Sequence, residues 1–276
     1  MSPRTLKEIA KSVLGALRIG PTVHDFRNRI GYHLDAKTRS RNAIFQARVA
    51  TDGLPLPPPK LIYLVTGQFD AEAFYNSGIL GATCIREILN RHGLDTKAFS
   101  KVLDFGCGCG RVIRHWRGLT GTKLYGLDYN PELIDWCQRN LKFAEFALDR
   151  AGTPLIFADA HFDFVYSISV FTHLTQPDQR FWMDEMMRVL RPGGHILFTV
   201  HGFSRLSDLS SKEREIFEAG MPVVLGSQYS GTNSCGTYHP EKYVRQVLCR
   251  NWRFVAFEAG AAKDANQDVF LMQKPL

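Results

Sequence analysis

The run Val102-Leu103-Asp104-Phe105 leads into Gly106-Cys107-Gly108-Cys109-Gly110, a turn with glycine at every second position. Glycines lack Cβ atoms, so the chain can turn sharply there and a ligand can lie against its backbone. Dinucleotide-binding enzymes also use glycine-rich strand-to-helix turns, and spacing separates the cases. The fingerprint G-x-G-x-x-G needs a glycine at 111, where this chain has Arg111, whereas G-x-G-x-G is met in full. Asp128 stands 18 residues after Gly110, at the end of a second apolar run. A carboxylate in that place accepts hydrogen bonds from both hydroxyls of a ribose. Before Asn130-Pro131 it also reads as an ordinary turn-initiating aspartate. Together, the loop and the carboxylate predict a nucleoside site.

Residues able to move a proton fall where strands would deliver them to one edge. His201 follows the fifth strand of the domain and is the first candidate base; His173 follows the fourth, and Tyr238-His239 stand further on. Histidine titrates near neutrality, which suits a proton acceptor, although a histidine after a strand can equally serve a loop backbone. Cys107 and Cys109 alternate with glycines and have no nearby His/Cys pair to complete a tetrahedral set, so no metal site is expected. The six cysteines, at 84, 107, 109, 137, 235 and 249, have neither disulfide density nor zinc spacing, which fits a reducing, cytoplasmic setting.

The elements that must position these groups are legible as periodicity. From Ser77, a good N-cap, Ile79, Leu80, Cys84, Ile85, Ile88 and Leu89 recur at helical spacing up to His92-Gly93. Lys101–Phe105 reads as a buried strand, Gly110–Arg117 as the start of a helix, and Lys123–Asp128 as a second strand. Pro131 opens a helix through Leu141. Phe164–Ile168 is a strand and Asp178–Leu190 a helix that stops at Arg191-Pro192-Gly193-Gly194. His195–Val200, Phe254–Phe257 and Val269–Met272 complete the strands. This alternation is the grammar of a parallel α/β sheet. Between the last units lies Phe203–Thr237, rich in Gly and Ser and too long for an ordinary connection. It reads as a lid-like insertion, with a disordered loop as the alternative.

Taken together, Val102–Arg111, Leu124–Pro131, Phe162–Leu174 and Met187–Val200 resemble the successive motifs of class I S-adenosylmethionine-dependent methyltransferases. The resemblance covers residues 75 to 275. It implies a Rossmann-like α/β fold with a seven-stranded sheet, helices on both faces and an antiparallel last strand. It implies S-adenosylmethionine as cofactor, with Asp104, Gly106, Gly108 and Gly110 cradling its methionine part and Asp128 its ribose. Asp149 falls where family members contact adenine, and Tyr75 where they complete the cofactor pocket; Cys107, Tyr129 and Ser167 fill out the expected cofactor set. The family's amine-type Asn/Asp-Pro-Pro-aromatic motif is replaced by Tyr166-Ser167-Ile168-Ser169. That favours transfer to a hydroxyl or carboxylate of a small molecule or glycan.

Composition sets the frame. The 276 residues suffice for one sizeable α/β domain plus an extension. No apolar run approaches the roughly 20 residues that span a bilayer, and Lys7, Glu8 and Lys11 interrupt any leader. The net charge of +7 sits in residues 1–60, with 11 Lys/Arg against 4 Asp/Glu; residues 61–276 hold 23 of each. A short amphipathic helix is predicted within residues 5–18, and Pro55, Pro57, Pro58 and Pro59 mark a semi-rigid linker. The chain therefore divides into a basic helical extension and linker, 1–60, and a cofactor-binding domain, 61–276. The basic segment allows an acidic partner, and with it an RNA or protein methyltransferase; a cofactor-binding scaffold without transfer is the other alternative.

Overall fold

The computed structural model describes residues 32, 35–150 and 152–276 except 49–52; the helix expected within residues 5–18 lies outside the described residues. The chain divides into two units at Val49/Ala50. In the first, helix α1 (Ala36–Arg48) is opened by Asp35, whose carboxylate accepts from the backbone N–H and the hydroxyl of Thr38.

The second unit is built on seven strands: β1 (Lys101–Phe105), β2 (Lys123–Asp128), β3 (Glu145–Leu148), β4 (Phe162–Ser167), β5 (Leu190–Val200) and the late hairpin formed by Arg253–Ala262 and Gln267–Gln273. The two hairpin strands are β8 and β9, since the short β6 (Val223–Leu225) and β7 (Gly236–Tyr238) precede them. The sheet order is β3-β2-β1-β4-β5-β9-β8, with β9 antiparallel to both neighbours and the β1–β5 pairings parallel. The order reverses at β1, so the carboxyl ends of β1 and β4 flank the crevice where open α/β sheets bind ligands. Strands β1, β4 and β9 are buried almost throughout, as expected of strands covered on both faces.

Four expectations change. The helix that carries Tyr75 and Ser77, α3, runs Ala71–Arg91 and is capped by Asp70, which accepts from the N–H of Ala73; Ser77 lies inside it and bonds the carbonyl of Phe74. Aspartate is the better cap here because its carboxylate meets an orphan N–H of the first turn. After the glycine loop there is no α-helix: a turn passes into the 3₁₀ segment Ile113–Trp116. The proline cluster does not end regular structure, because Pro59 is the first residue of helix α2 (Pro59–Thr66), where its missing N–H is one of the orphans anyway. The fifth strand starts at Leu190, with the sequence Arg191–Gly194 absorbed as a register shift against β4.

Helix α4 (Pro131–Asn140) is capped by Asn130, and helix α5 (Gln176–Val189) packs its buried Trp182, Met183 and Met186 on the sheet. The insertion is ordered. It holds helix α6 (Ser211–Glu218), opened by the reciprocal Ser210–Glu213 cap, and the β6–β7 hairpin. Leu209, Phe217, Val223 and Tyr238 give it an apolar cluster of its own. No helix among the described residues is long and apolar enough to cross a membrane.

Candidate active site

Gly106, Gly108 and Gly110 all have left-handed backbone, with φ of +77°, +56° and +78°. L-residues with side chains rarely adopt this conformation, so the alternating glycines answer a backbone requirement. The turn is tied to the next strand: the N–H groups of Gly106 and Cys107 donate to the Leu127 carbonyl at 2.8 Å each. Asp128 then closes the tie from the other side, its Oδ2 accepting from Gly108 N–H and its Oδ1 from Asn130 N–H, both at 2.9 Å. Val170 lies against Gly106 and Val65 of α2 against Gly108, where added Cβ atoms would meet their methyls at 2.2 and 2.8 Å.

The carboxylates around the loop carry the strain of burial. Burial pushes Asp104 up to about 7, opposed by the neighbouring Tyr166 hydroxyl and the Arg111 charge, and its Oδ2 has no hydrogen-bond partner among the described residues. Burial also raises Asp128, with the N–H groups of Asn130 and Gly108 pulling the other way. Asp149, just beyond β3, is pushed up to about 6 by burial; its Oδ1 accepts from Arg150 N–H, and its own N–H donates to the Asp128 carbonyl. Ser167 Oγ, at the end of β4, is buried and likewise unpartnered. Tyr129 follows Asp128 and is half exposed.

Two residues expected at the cofactor are turned elsewhere. Cys107 points its thiol inward, to the carbonyl of Gly108, which also receives the thiol of Cys137. Tyr75 sits within α3, its ring edge-on to His115 at 5.1 Å and under the Arg114 guanidinium.

A second group gathers at the carboxyl ends of β4 and β5. The rings of His173 and His201 lie 6.3 Å apart, and Tyr238 stacks obliquely on His201 at 5.1 Å. The insertion brings Tyr238 there: β7 bridges His201, His239 N–H donates to the His201 carbonyl, and Thr237 Oγ1 donates to the Leu174 carbonyl. His173 Nδ1 bonds the Cys235 carbonyl at 2.7 Å. A carbonyl only accepts, so that nitrogen carries the hydrogen and Nε2 of the neutral ring carries the lone pair. Burial lowers the pKa of His173, that hydrogen bond opposing, and depresses His201 to about 3, with the His173 and Arg205 charges adding. His239 is almost wholly buried, is pushed down to about 3, and has no partner for either ring nitrogen among the described residues.

Sequence reading passed over two features. The carbonyl of Cys235 leaves no trace in residue type, and the left-handed Ser169 after β4, with φ of +62°, breaks no rule visible in a sequence. No group of three or more His, Cys, Asp or Glu among the described residues could hold a metal ion.

The chain matches a family described as "Methyltransferase domain" over residues 103–198. It is 35% identical over 128 residues to the sterol 24-C-methyltransferase of Schizosaccharomyces pombe, covering 44% of this chain and 33% of that protein. It is 31% identical over 126 residues to the malonyl-[acyl-carrier protein] O-methyltransferase of Enterobacter lignolyticus, covering 45% and 48%. The match thus spans less than half the length of these relatives. The fold is that of an S-adenosylmethionine-dependent methyltransferase from Methanosarcina mazei, at a TM-score of 0.52 and 20% identity over 68% of this chain and 97% of that one. Residues 103–198 thus carry a methyltransferase domain, and the chain is similar in sequence and fold to S-adenosylmethionine-dependent methyltransferases, whose cofactor is S-adenosylmethionine.

Proposed function

We propose that the chain transfers a methyl group from S-adenosylmethionine to an oxygen, hydroxyl or carboxylate, of a small molecule. The single observation that carries the site is the loop–strand tie, in which Asp128 grips the left-handed Gly108 while Asp104 keeps an unpaired carboxylate oxygen beside it. This donor set fits the cofactor. Asp104 would hold the cationic amino group of the methionine part, which returns a buried acid near 7 to its charged form. Asp128 would accept from the ribose hydroxyls with the lone pairs that its two backbone N–H partners leave over. Asp149 and Tyr129 flank the place of the adenine, and Ser167 supports the methionine part with its unpartnered hydroxyl.

When bound, S-adenosylmethionine supplies a methyl group on a sulfonium, which departs as a neutral thioether. The chain's part is to hold an acceptor in line and, for a protonated acceptor, to take its proton. His173 suits that task better than His201. Its Nδ1–H is committed to Cys235, which leaves Nε2 as the acceptor, whereas His201 at about 3 is a weak base. His201 and Tyr238 back the His173 ring, and His239 supports them through its backbone. A cavity of about 470 Å³ opens between α6, the turn at Phe203–Asp208 and β8, walled by Phe203, Phe217 and Phe257 and by the charged Glu218, Glu241 and Lys242; neither the glycine loop nor the histidine pair lines it.

Incubating the protein with S-adenosylmethionine labelled in its methyl group and a native cell extract tests the proposal. Label in a small organic product, with S-adenosylhomocysteine formed in equal amount, supports it; tight cofactor binding with no labelled product from any pool contradicts it.

A further inference from the structure

The geometry points to Ser169 as the group that binds the acceptor oxygen, with Thr199 and Gln267 as positioning residues that hold its hydroxyl as a donor. This inference rests on the reading of the chain as a methyltransferase.

Three side chains close a ring at the carboxyl edge of β4, β5 and β9. Ser169 N–H donates to Thr199 Oγ1 at 2.8 Å, the Thr199 hydroxyl donates to Gln267 Oε1 at 2.6 Å, and Gln267 Nε2 donates to Ser169 Oγ at 2.7 Å. Its direction follows from its first bond. A backbone N–H can only donate, so Thr199 Oγ1 accepts there and must place its own proton on Gln267. With the amide turned over, that proton would face an NH₂ group. Thr199 is fully buried, and a hydroxyl proton stranded there is costly. Gln267 therefore turns its NH₂ toward Ser169, whose oxygen accepts. The ring leaves over two donors, the second N–H of the buried Gln267 amide and the proton of Ser169, and Ser169 is its one partly exposed member, so its proton is the one a bound molecule can reach.

The local backbone is consistent with a special role. Ser169 is one of three non-glycine residues with positive φ among the described residues. Such strain persists where the surroundings over-determine it, and it gathers at functional sites. The position also fits. Val170, the next residue, packs against Gly106, while Thr199 lies two residues before His201. The spare donor thus stands on the stretch of edge that runs from the glycine loop to the histidine pair.

A donor in that place discriminates between nucleophiles. An oxygen attacking the methyl carbon spends one lone pair and keeps another to accept from Ser169. A neutral amine nitrogen has a single lone pair, spends it on the methyl carbon, and leaves Ser169 unpaired. In the step itself the C–O bond forms as the S–CH₃ bond breaks, the sulfonium charge is discharged to a thioether, and the proton of a hydroxyl acceptor passes to His173 Nε2. A carboxylate acceptor has no proton to lose, and the same hydrogen bond from Ser169 serves it.

The test compares wild type with Ser169→Ala, Ser169→Gly and Gln267→Glu. Alanine removes the hydroxyl; glycine removes it and also frees the left-handed backbone; a carboxylate at 267 accepts from both hydroxyls and so draws the Ser169 proton inward. Cofactor binding is followed by calorimetry with S-adenosylmethionine. Transfer is followed with methyl-labelled S-adenosylmethionine and a native cell extract, and the linkage of the labelled methyl is determined by mass spectrometry. The expected result is cofactor affinity within about twofold of wild type in all three, label on oxygen in the wild-type product, and transfer lowered about tenfold or more, the worth of one hydrogen bond. Label on nitrogen overturns the inference. So does full transfer by Ser169→Gly, which would make the ring a backbone brace. If Gln267→Glu does not fold, the two serine variants decide alone. Wild type that binds cofactor yet labels nothing contradicts the transferase reading, and this inference falls with it.

Discussion

His173 Nδ1 and the carbonyl oxygen of Cys235 are joined at 2.7 Å across 62 residues of sequence, so the insertion fixes which nitrogen of a candidate base is free. Removing that base tests the assignment. His173→Ala is expected to lower turnover about 100-fold or more, the usual worth of a positioned general base, while S-adenosylmethionine binding stays near wild type. The ring's lowered pKa keeps it neutral at pH 7, so the acid limb of the wild-type pH–rate profile should lie below the ordinary histidine value of about 6.5. A limb above 6.5, or an unimpaired His173→Ala enzyme acting on a protonated acceptor, would rule the role out.

Stability should fall in mild acid. His201 and His239 titrate near 3 in the folded protein and near 6.5 when unfolded, so between those values the unfolded chain binds more protons. The stability they contribute is complete above about pH 6.5 and is lost as pH falls toward 3, at up to about 1.4 kcal/mol per pH unit for each group. Urea midpoints at pH 7.5 and 5.0 measure the effect, and His239→Gln should flatten the dependence. An unchanged slope in that variant would show that the ring is not held neutral.

Gly106→Ala should be damaging out of proportion to one methyl group. The residue sits at φ +77°, and the new Cβ would lie 2.2 Å from Val170 Cγ2. A left-handed backbone costs an L-residue roughly 1–2 kcal/mol before the clash is counted. Thermal unfolding of the variant should therefore begin lower and cofactor affinity should drop. Wild-type values for both would mean that the loop relaxes freely.

Arg111 and Asp264 form a nearly buried ion pair at 2.8 Å that ties the residue after the glycine loop to the β8–β9 turn. Breaking such a pair from one side typically costs about 3–5 kcal/mol, because the remaining charge stays buried without its partner. Asp264→Ala should approach that cost, and Arg111→Met with Asp264→Ala together should cost less than the two singles summed. Additive losses in a urea double-mutant cycle would show that the two side chains act independently.

What was legible followed from local chemistry. β1, β2 and the Pro131 helix could be placed because their apolar spacing, proline and capping residues all act within a few positions. The seven strands and the antiparallel last one came with the family resemblance, not with any single residue; their order is set by contacts between strands distant in sequence. Ser77 misled because a good capping residue can also sit inside a helix, where its hydroxyl bonds a backbone carbonyl one turn back. The insertion looked like loop because its order comes from contacts across long sequence separations, such as Gly231 N–H on the His173 carbonyl and Thr237 on Leu174. The Ser169–Thr199–Gln267 ring joins residues up to 98 apart and has no sequence period at all.

The glycine loop and Asp128 form the proposed S-adenosylmethionine site. Calorimetric titration of the purified protein with S-adenosylmethionine, beside Asp128→Ala, addresses it most directly. One site per chain is expected in wild type and an affinity at least about tenfold weaker in the variant, because a charged partner of two hydroxyls is lost. Absence of binding in wild type, or equal affinity in Asp128→Ala, would contradict it.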